Sequence, residues 1–176
     1  PRRLAPYLSD SRWHVVRNIT FALGQIGGGE VTELLARAAR HLDARVRRAA
    51  VTALAQVPAR ERVPLLLEHL DTHDPQLLSN TLAMLGREKN PRVALALITR
   101  IVPTDFETRS DEHKLALIGA LADVADDETV SALEQLLNRG GWFARRTPER
   151  PAAARTLARI GTESALRVLE EGSRSR

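Results

Sequence analysis

VVRNITFALGQIG, residues 15–27, sets Val15, Val16, Ile19, Leu23 and Ile26 three or four positions apart. That spacing puts one apolar stripe on an α-helix and cannot line one face of a strand. Ala22 and Gly24 flank Leu23, and their small size lets a neighbouring helix approach closely. The stretch returns, altered, at 46–57 (VRRAAVTALAQV), 77–86 (LLSNTLAMLG), 115–124 (LALIGALADV) and 152–161 (AAARTLARIG). The leucine between small residues is Leu23, Leu54, Leu85, Leu121 and Leu157, in steps of 31, 31, 36 and 36 residues. Self-similarity on that scale marks a solenoid, in which each unit buries its apolar face against its neighbours.

A second helical stretch follows each copy. Residues 30–41 carry Val31, Leu34, Leu35 and Ala38, with Leu42 just beyond, and residues 60–70 carry Val63, Leu66, Leu67 and Leu70. Pro91 opens a helix with Val93, Leu95, Leu97, Ile98 and Ile101; two further helices cover about 128–138 and 162–170. Gly27, Gly28 and Gly29 end the first helix, and Pro58 ends the third. Ser9–Ser11, Asp43, Asp74-Pro75, Ser110 or Asp111, Thr147-Pro148 and Thr162 supply helix starts. Pro64 is expected near a first turn, where a missing N–H is harmless. The expected fold is all-α: a right-handed α-α superhelix of about five helix–turn–helix repeats, near 10–42, 43–73, 74–109, 110–146 and 147–176, in one elongated domain. The longer steps leave two insertions, 102–109 and 139–150.

Composition agrees with helices packed closely: 43% of residues are hydrophobic but only 3% aromatic, and alanine and leucine dominate. There is no cysteine, which excludes disulfides, thiolate zinc sites and a thiol nucleophile. No apolar run reaches the roughly 18 residues of a membrane span. The chain begins without methionine, and residues 2–8 (RRLAPYL) look like the end of a second helix, so a piece of a longer protein is expected, with a cytoplasmic location. Arginine is used almost to the exclusion of lysine.

The net charge of +4 is unevenly spread: +6 over residues 1–60, −7 over 61–138 and +5 over 139–176. A solenoid that tracks a phosphate backbone should be basic along its length. The acidic middle counts against that ligand.

Units reading Asp–x–x–Val–Arg–x–x–Ala–x–x–Ala–Leu–Gly resemble HEAT-like repeats of the phycobilisome-lyase type, and designed helical repeats built on the same consensus. Asp10 with Val16-Arg17 and Ala22-Leu23-Gly24, and Asp43 with Val46-Arg47 and Ala53-Leu54-Ala55, fit best. The third and fourth units depart, with Leu77-Leu78-Ser79 and Lys114-Leu115. The resemblance implies first helices on a convex face and second helices on a concave, ligand-facing one. Tetratricopeptide and ankyrin signatures are missing. Fold of this kind leaves function open.

Candidate sites are few. Arg17 and Arg48 are 31 residues apart and are expected to form a structural ladder with the turn carboxylates Asp43 and Asp74, since a guanidinium grips a carboxylate with two hydrogen bonds. Asn18 is expected to bond backbone between repeats; the sequon it opens lies in mid-helix. His69, Asp71, His73 and Asp74 have spacing compatible with zinc, but they sit where a turn needs caps, so no metal or cofactor is assigned. Gly27–Gly29 lacks the strand and the Lys-Ser/Thr of a phosphate loop. Asp126, Asp127 and Glu128 suit a helix N-terminus. No nucleophile elbow or zinc-protease motif occurs, and no catalytic residue is assigned. The insertion RGGWFARRTPER holds Trp142 and Phe143 among Arg139, Arg145, Arg146 and Arg150. Trp and Arg are enriched at interface hot spots, and the alternative role of the two rings is to plug the gap between the fourth and fifth units. Trp13 is expected to pack.

These features point to a non-catalytic scaffold that binds another protein, or another domain of its parent chain. Its expected contacts are Arg37, Arg40, Glu68, Arg100, Gln135 and Arg139 on second helices, with Trp142, Phe143, Arg145 and Arg146 in the insertion. Nucleic-acid or anionic-ligand binding through the Arg-rich ends is the first alternative. A bilin-lyase-like accessory subunit is the second.

Overall fold

Glycines, prolines and capping side chains cut the chain into ten α-helices among the described residues, which are 1–88, 90–102, 106, 108–138 and 147–174 of a computed structural model. The residues fall into two compact units, Pro1–Leu85 and Gly86–Arg176. No strand occurs among those residues.

The first unit holds α1 (Trp13–Ile26), α2 (Gly29–Ala39), α3 (Ala44–Ala53), α4 (Ala59–Leu67) and α5 (Pro75–Leu85), preceded by a 3-10 turn, Ala5–Ser9. α1 packs on α2 and α3, and α5 packs on α3 and α4. Val16, Leu23, Val31, Leu35, Val46, Leu54, Leu66 and Leu77 are fully buried between them. α1 approaches α3 closely at Gly24: a Cβ there would stand 2.8 Å from the Cβ of Ala53. Gly27 ends α1 at φ 67°, a left-handed conformation that side chains with a Cβ disfavour, and its N–H returns to Leu23 O at 3.1 Å.

Several expectations need correction. Asp10 does not cap α1 directly: its Oδ1 accepts the N–H of Arg12, and the helix starts one residue later. Ile26 is 52% exposed and Leu42 96% exposed. α2 ends at Ala39, so Leu42 lies past the helical period that would have turned it inward. Pro64 stands inside α4, beyond its first turn, on an exposed position. Thr20 and Thr81 are wholly buried, which the apolar pattern does not show; each hydroxyl donates to the carbonyl four residues back at 2.8 Å.

The second unit holds α6 (Pro91–Ile101), α7 (Asp111–Ala120), α8 (Asp127–Asn138), α9 (Glu149–Ile160) and α10 (Glu163–Arg174). α7 packs on α6 and α9, and α8 on α6, α9 and α10. Asn90 caps α6 and Ser110 caps α7, accepting from the N–H groups of Arg92 and His113. Asp126 caps α8, accepting the N–H and hydroxyl of Thr129 at 2.8 and 2.7 Å, while Thr162 accepts from Ala165 N–H at the start of α10. Neither Thr147 nor Pro148 caps α9: Pro148 occupies the cap position and has no side-chain acceptor to offer. Leu95 of α6 is 53% exposed. Phe106, in the stretch read as a plain inserted loop, is fully buried.

Candidate interaction surface

The turns before successive first helices are held by carboxylates, and the residue two positions on decides how. Asp10 is followed by Arg12 and Asp43 by Arg45. Each arginine binds its own turn carboxylate with two guanidinium contacts, at 3.0 and 2.8 Å for Arg12, and 3.0 and 2.7 Å for Arg45. These hydrogen bonds hold both carboxyls down at about 2. Asp74 is followed by Gln76, which leaves it open to Arg48 of α3. Arg48 Nε meets Asp74 Oδ2 at 2.8 Å, and Nη2 meets Oδ1 at 2.8 Å. Asp74 also accepts the N–H groups of Gln76 and Leu77, and its carboxyl is lowered chiefly by Arg48.

Arg17 does not pair with Asp43, contrary to the expected ladder. Arg45 already occupies that carboxylate. Arg17 instead donates to Asn18 Oδ1 at 3.2 Å, and its guanidinium lies 5.2 Å from the centre of the Trp13 ring. Asn18 is exposed and takes this local bond, not a bond to backbone between repeats. The Arg45 guanidinium sits 3.5 Å from the Trp13 centroid, so the half-buried ring joins α1 to α3. A signal for this was present in the paired Asp–x–Arg triplets.

On the second helices, Arg37 is exposed and donates to Ser9 Oγ. Arg40, the residue after α2, reaches Glu68, the residue after α4, with Nε–Oε2 at 3.0 Å and Nη2–Oε2 at 2.7 Å. Arg2 bonds Glu30 in the same manner, Nε at 3.0 Å and Nη2 at 2.7 Å from Oε1. Arg100 is half-buried and turns back to the carbonyl of Ala96 at 2.9 Å. Gln135 is exposed on α8. Arg139, Trp142, Phe143, Arg145 and Arg146 lie outside the described residues.

The second unit contains a buried ion pair absent from the sequence reading. Lys114 Nζ of α7 meets Glu149 Oε1 in the first turn of α9 at 2.8 Å, with side-chain exposures of 8% and 10%. Burial pushes the Glu149 carboxyl up, but the hydrogen bond from Lys114 and others outweigh it and hold it below the usual range. The same hydrogen bond raises Lys114. Glu149 Oε2 is buried without a hydrogen-bond partner.

Among the described residues no group of three or more His, Cys, Asp or Glu side chains could hold a metal ion. His69 is buried, and desolvation lowers its pKa; His73 and Asp71 are exposed, and Asp74 is held by Arg48. No helix among the described residues is long and apolar enough to cross a membrane.

Comparison with known proteins fits this build. Residues 31–111 match the family model for HEAT repeats. No curated protein sequence matches the chain. A solved engineered protein is 16% identical, with a TM-score of 0.54, over 97% of this chain and 86% of that one. Human deoxyhypusine hydroxylase in complex with glycerol is 19% identical, with a TM-score of 0.50, over 97% of this chain and 66% of that one. At such identities the likeness establishes fold alone. Residues 31–111 therefore resemble HEAT repeats, and the described residues around them form an all-α repeat fold.

Proposed function

We propose that this protein is a non-catalytic scaffold that binds another protein, or another domain of its parent chain, through its exposed second-helix side chains. The observation that carries this reading is the charged surface between α2 and α4. Arg37 and Arg40 are exposed, and their present partners, Ser9 and Glu68, are exposed contacts worth little in water. A partner carboxylate can replace them at small cost. Charge of both signs at Arg40 and Glu68 selects partners by complementarity and speeds encounter. HEAT-like folds commonly serve in this way. Arg100 and the insertion residues Arg139, Trp142, Phe143, Arg145 and Arg146 extend the proposed contact set.

The test is affinity capture from extract of the source organism at low ionic strength, comparing the wild-type chain with the charge-reversed pair Arg37→Glu and Arg40→Glu. The reading expects a protein partner that the wild type retains and the double variant loses. Capture of nothing, or of nucleic acid whose binding falls steeply with salt, overturns it.

A further inference from the structure

α1 and α3 lie side by side in the first unit, and together they carry four arginines and no carboxylate. Three of the four are engaged. Arg45 holds Asp43, Arg48 holds Asp74, and Arg47 donates to the carbonyls of His41 and Leu42 at 2.9 and 2.7 Å. Arg17 is the exception: it meets an amide oxygen and the face of Trp13, and no carboxylate. One turn further along α1 stands Phe21, 65% exposed. Residues four apart on a helix are neighbours, so Arg17 and Phe21 form an adjacent cation and aromatic ring on one exposed face.

The Trp13 ring, packed under Arg45, keeps this face ordered before any partner arrives. An arginine oriented on an aromatic ring loses less freedom when it binds. The neighbouring charges decide what fits. A phosphate backbone needs a row of available cations, and here Arg45 and Arg48 are paired with carboxylates while Arg47 is spent on two backbone carbonyls. One open guanidinium beside one exposed ring matches one carboxylate beside one bulky apolar side chain.

We propose that the exposed face of α1, centred on Arg17 and Phe21, docks a peptide segment of a partner protein that carries an Asp or Glu next to a large apolar residue. The carboxylate takes two hydrogen bonds from Arg17, and the apolar side chain covers Phe21. The site rests on the same scaffold reading but uses the first helices, so it can fail while the second-helix surface stands.

A displayed library of random-sequence peptides, selected against the intact chain, tests this. Enriched sequences should pair an acidic residue with Phe, Leu, Ile or Trp. A synthetic peptide of the enriched sequence, followed by fluorescence anisotropy, should bind Arg17→Gln and Phe21→Ser roughly tenfold or more weakly than wild type. Both positions are exposed, and circular dichroism confirms that each variant keeps its helices. A single-stranded oligonucleotide should not displace the peptide. Four results overturn the site: no enrichment, enriched peptides without carboxylates, equal binding to wild type and both variants, or displacement by the oligonucleotide. Loss of binding in Arg37→Gln alone also overturns it, while leaving the second-helix surface in place.

Discussion

Arg48 grips Asp74 with its guanidinium, while the side chain of Gln76 turns away to Asn80 and leaves that carboxylate uncontested. Between α3 and the turn before α5 the two contacts of 2.8 Å form a forked pair, whereas at Asp43 the same fork is closed locally by Arg45. Replacing Gln76 by Arg should let position 76 take Asp74 and release Arg48. The check is a double-mutant cycle on thermal melting with Arg48→Gln and Asp74→Asn. Coupling between 48 and 74 should be present in wild type and vanish in the Gln76→Arg background. Undiminished coupling would show that the residue two positions on does not govern the clamp.

The Lys114–Glu149 pair should tolerate joint replacement better than single replacement. Lys114→Met leaves a carboxylate buried and unpaired, and should cost about 3–5 kcal/mol in denaturant unfolding. Lys114→Met with Glu149→Leu removes both charges and should recover most of that loss. A double variant as unstable as the single one would mean the pair's geometry, not its charge balance, holds α7 to α9.

Gly24 should resist enlargement. The Cβ of Gly24→Ala would stand 2.8 Å from Ala53 Cβ, inside the contact distance of real side chains. Overpacking of this kind costs about 1–3 kcal/mol, and the bulkier Gly24→Val belongs at the upper end. Ala53→Gly in the same chain should restore stability, as measured by melting temperature.

Acid should destabilise the fold in a defined window. Asp10 and Asp43 titrate at about 2 against an ordinary 3.8, and Asp74 and Glu149 are also lowered. Their folded state binds fewer protons than the unfolded one, so their contribution is present above the ordinary carboxylate range and lost as pH falls toward 2. Melting temperature should therefore drop steadily from about pH 4 to about pH 2. Asp43→Asn should flatten that drop. An unchanged slope in Asp43→Asn would remove Asp43 from the explanation.

The helices and most of their starts were legible because apolar spacing, Asp, Asn, Ser and Pro act locally. Asp43 caps α3 and Asn90 caps α6 through contacts two residues long. The buried threonines were hidden because a polar residue breaks the apolar count, although its hydroxyl is satisfied within one turn. Phe106 was hidden because its neighbours read as insertion. Repeat offset pairs Arg17 with Asp43 but is blind to Arg45, which stands two residues from that carboxylate and takes it locally. The Lys114–Glu149 contact joins two different repeats at unequal spacing, and no periodicity reports such a pair.

Whether the protein works by presenting its surface is tested most directly by hydrogen–deuterium exchange with and without the captured partner. The account predicts slower exchange confined to helices that expose the named side chains, α2 and α4 or α1 and α3, with the partner bound unaltered. Protection found only on other helices, or a partner released chemically changed, would contradict it.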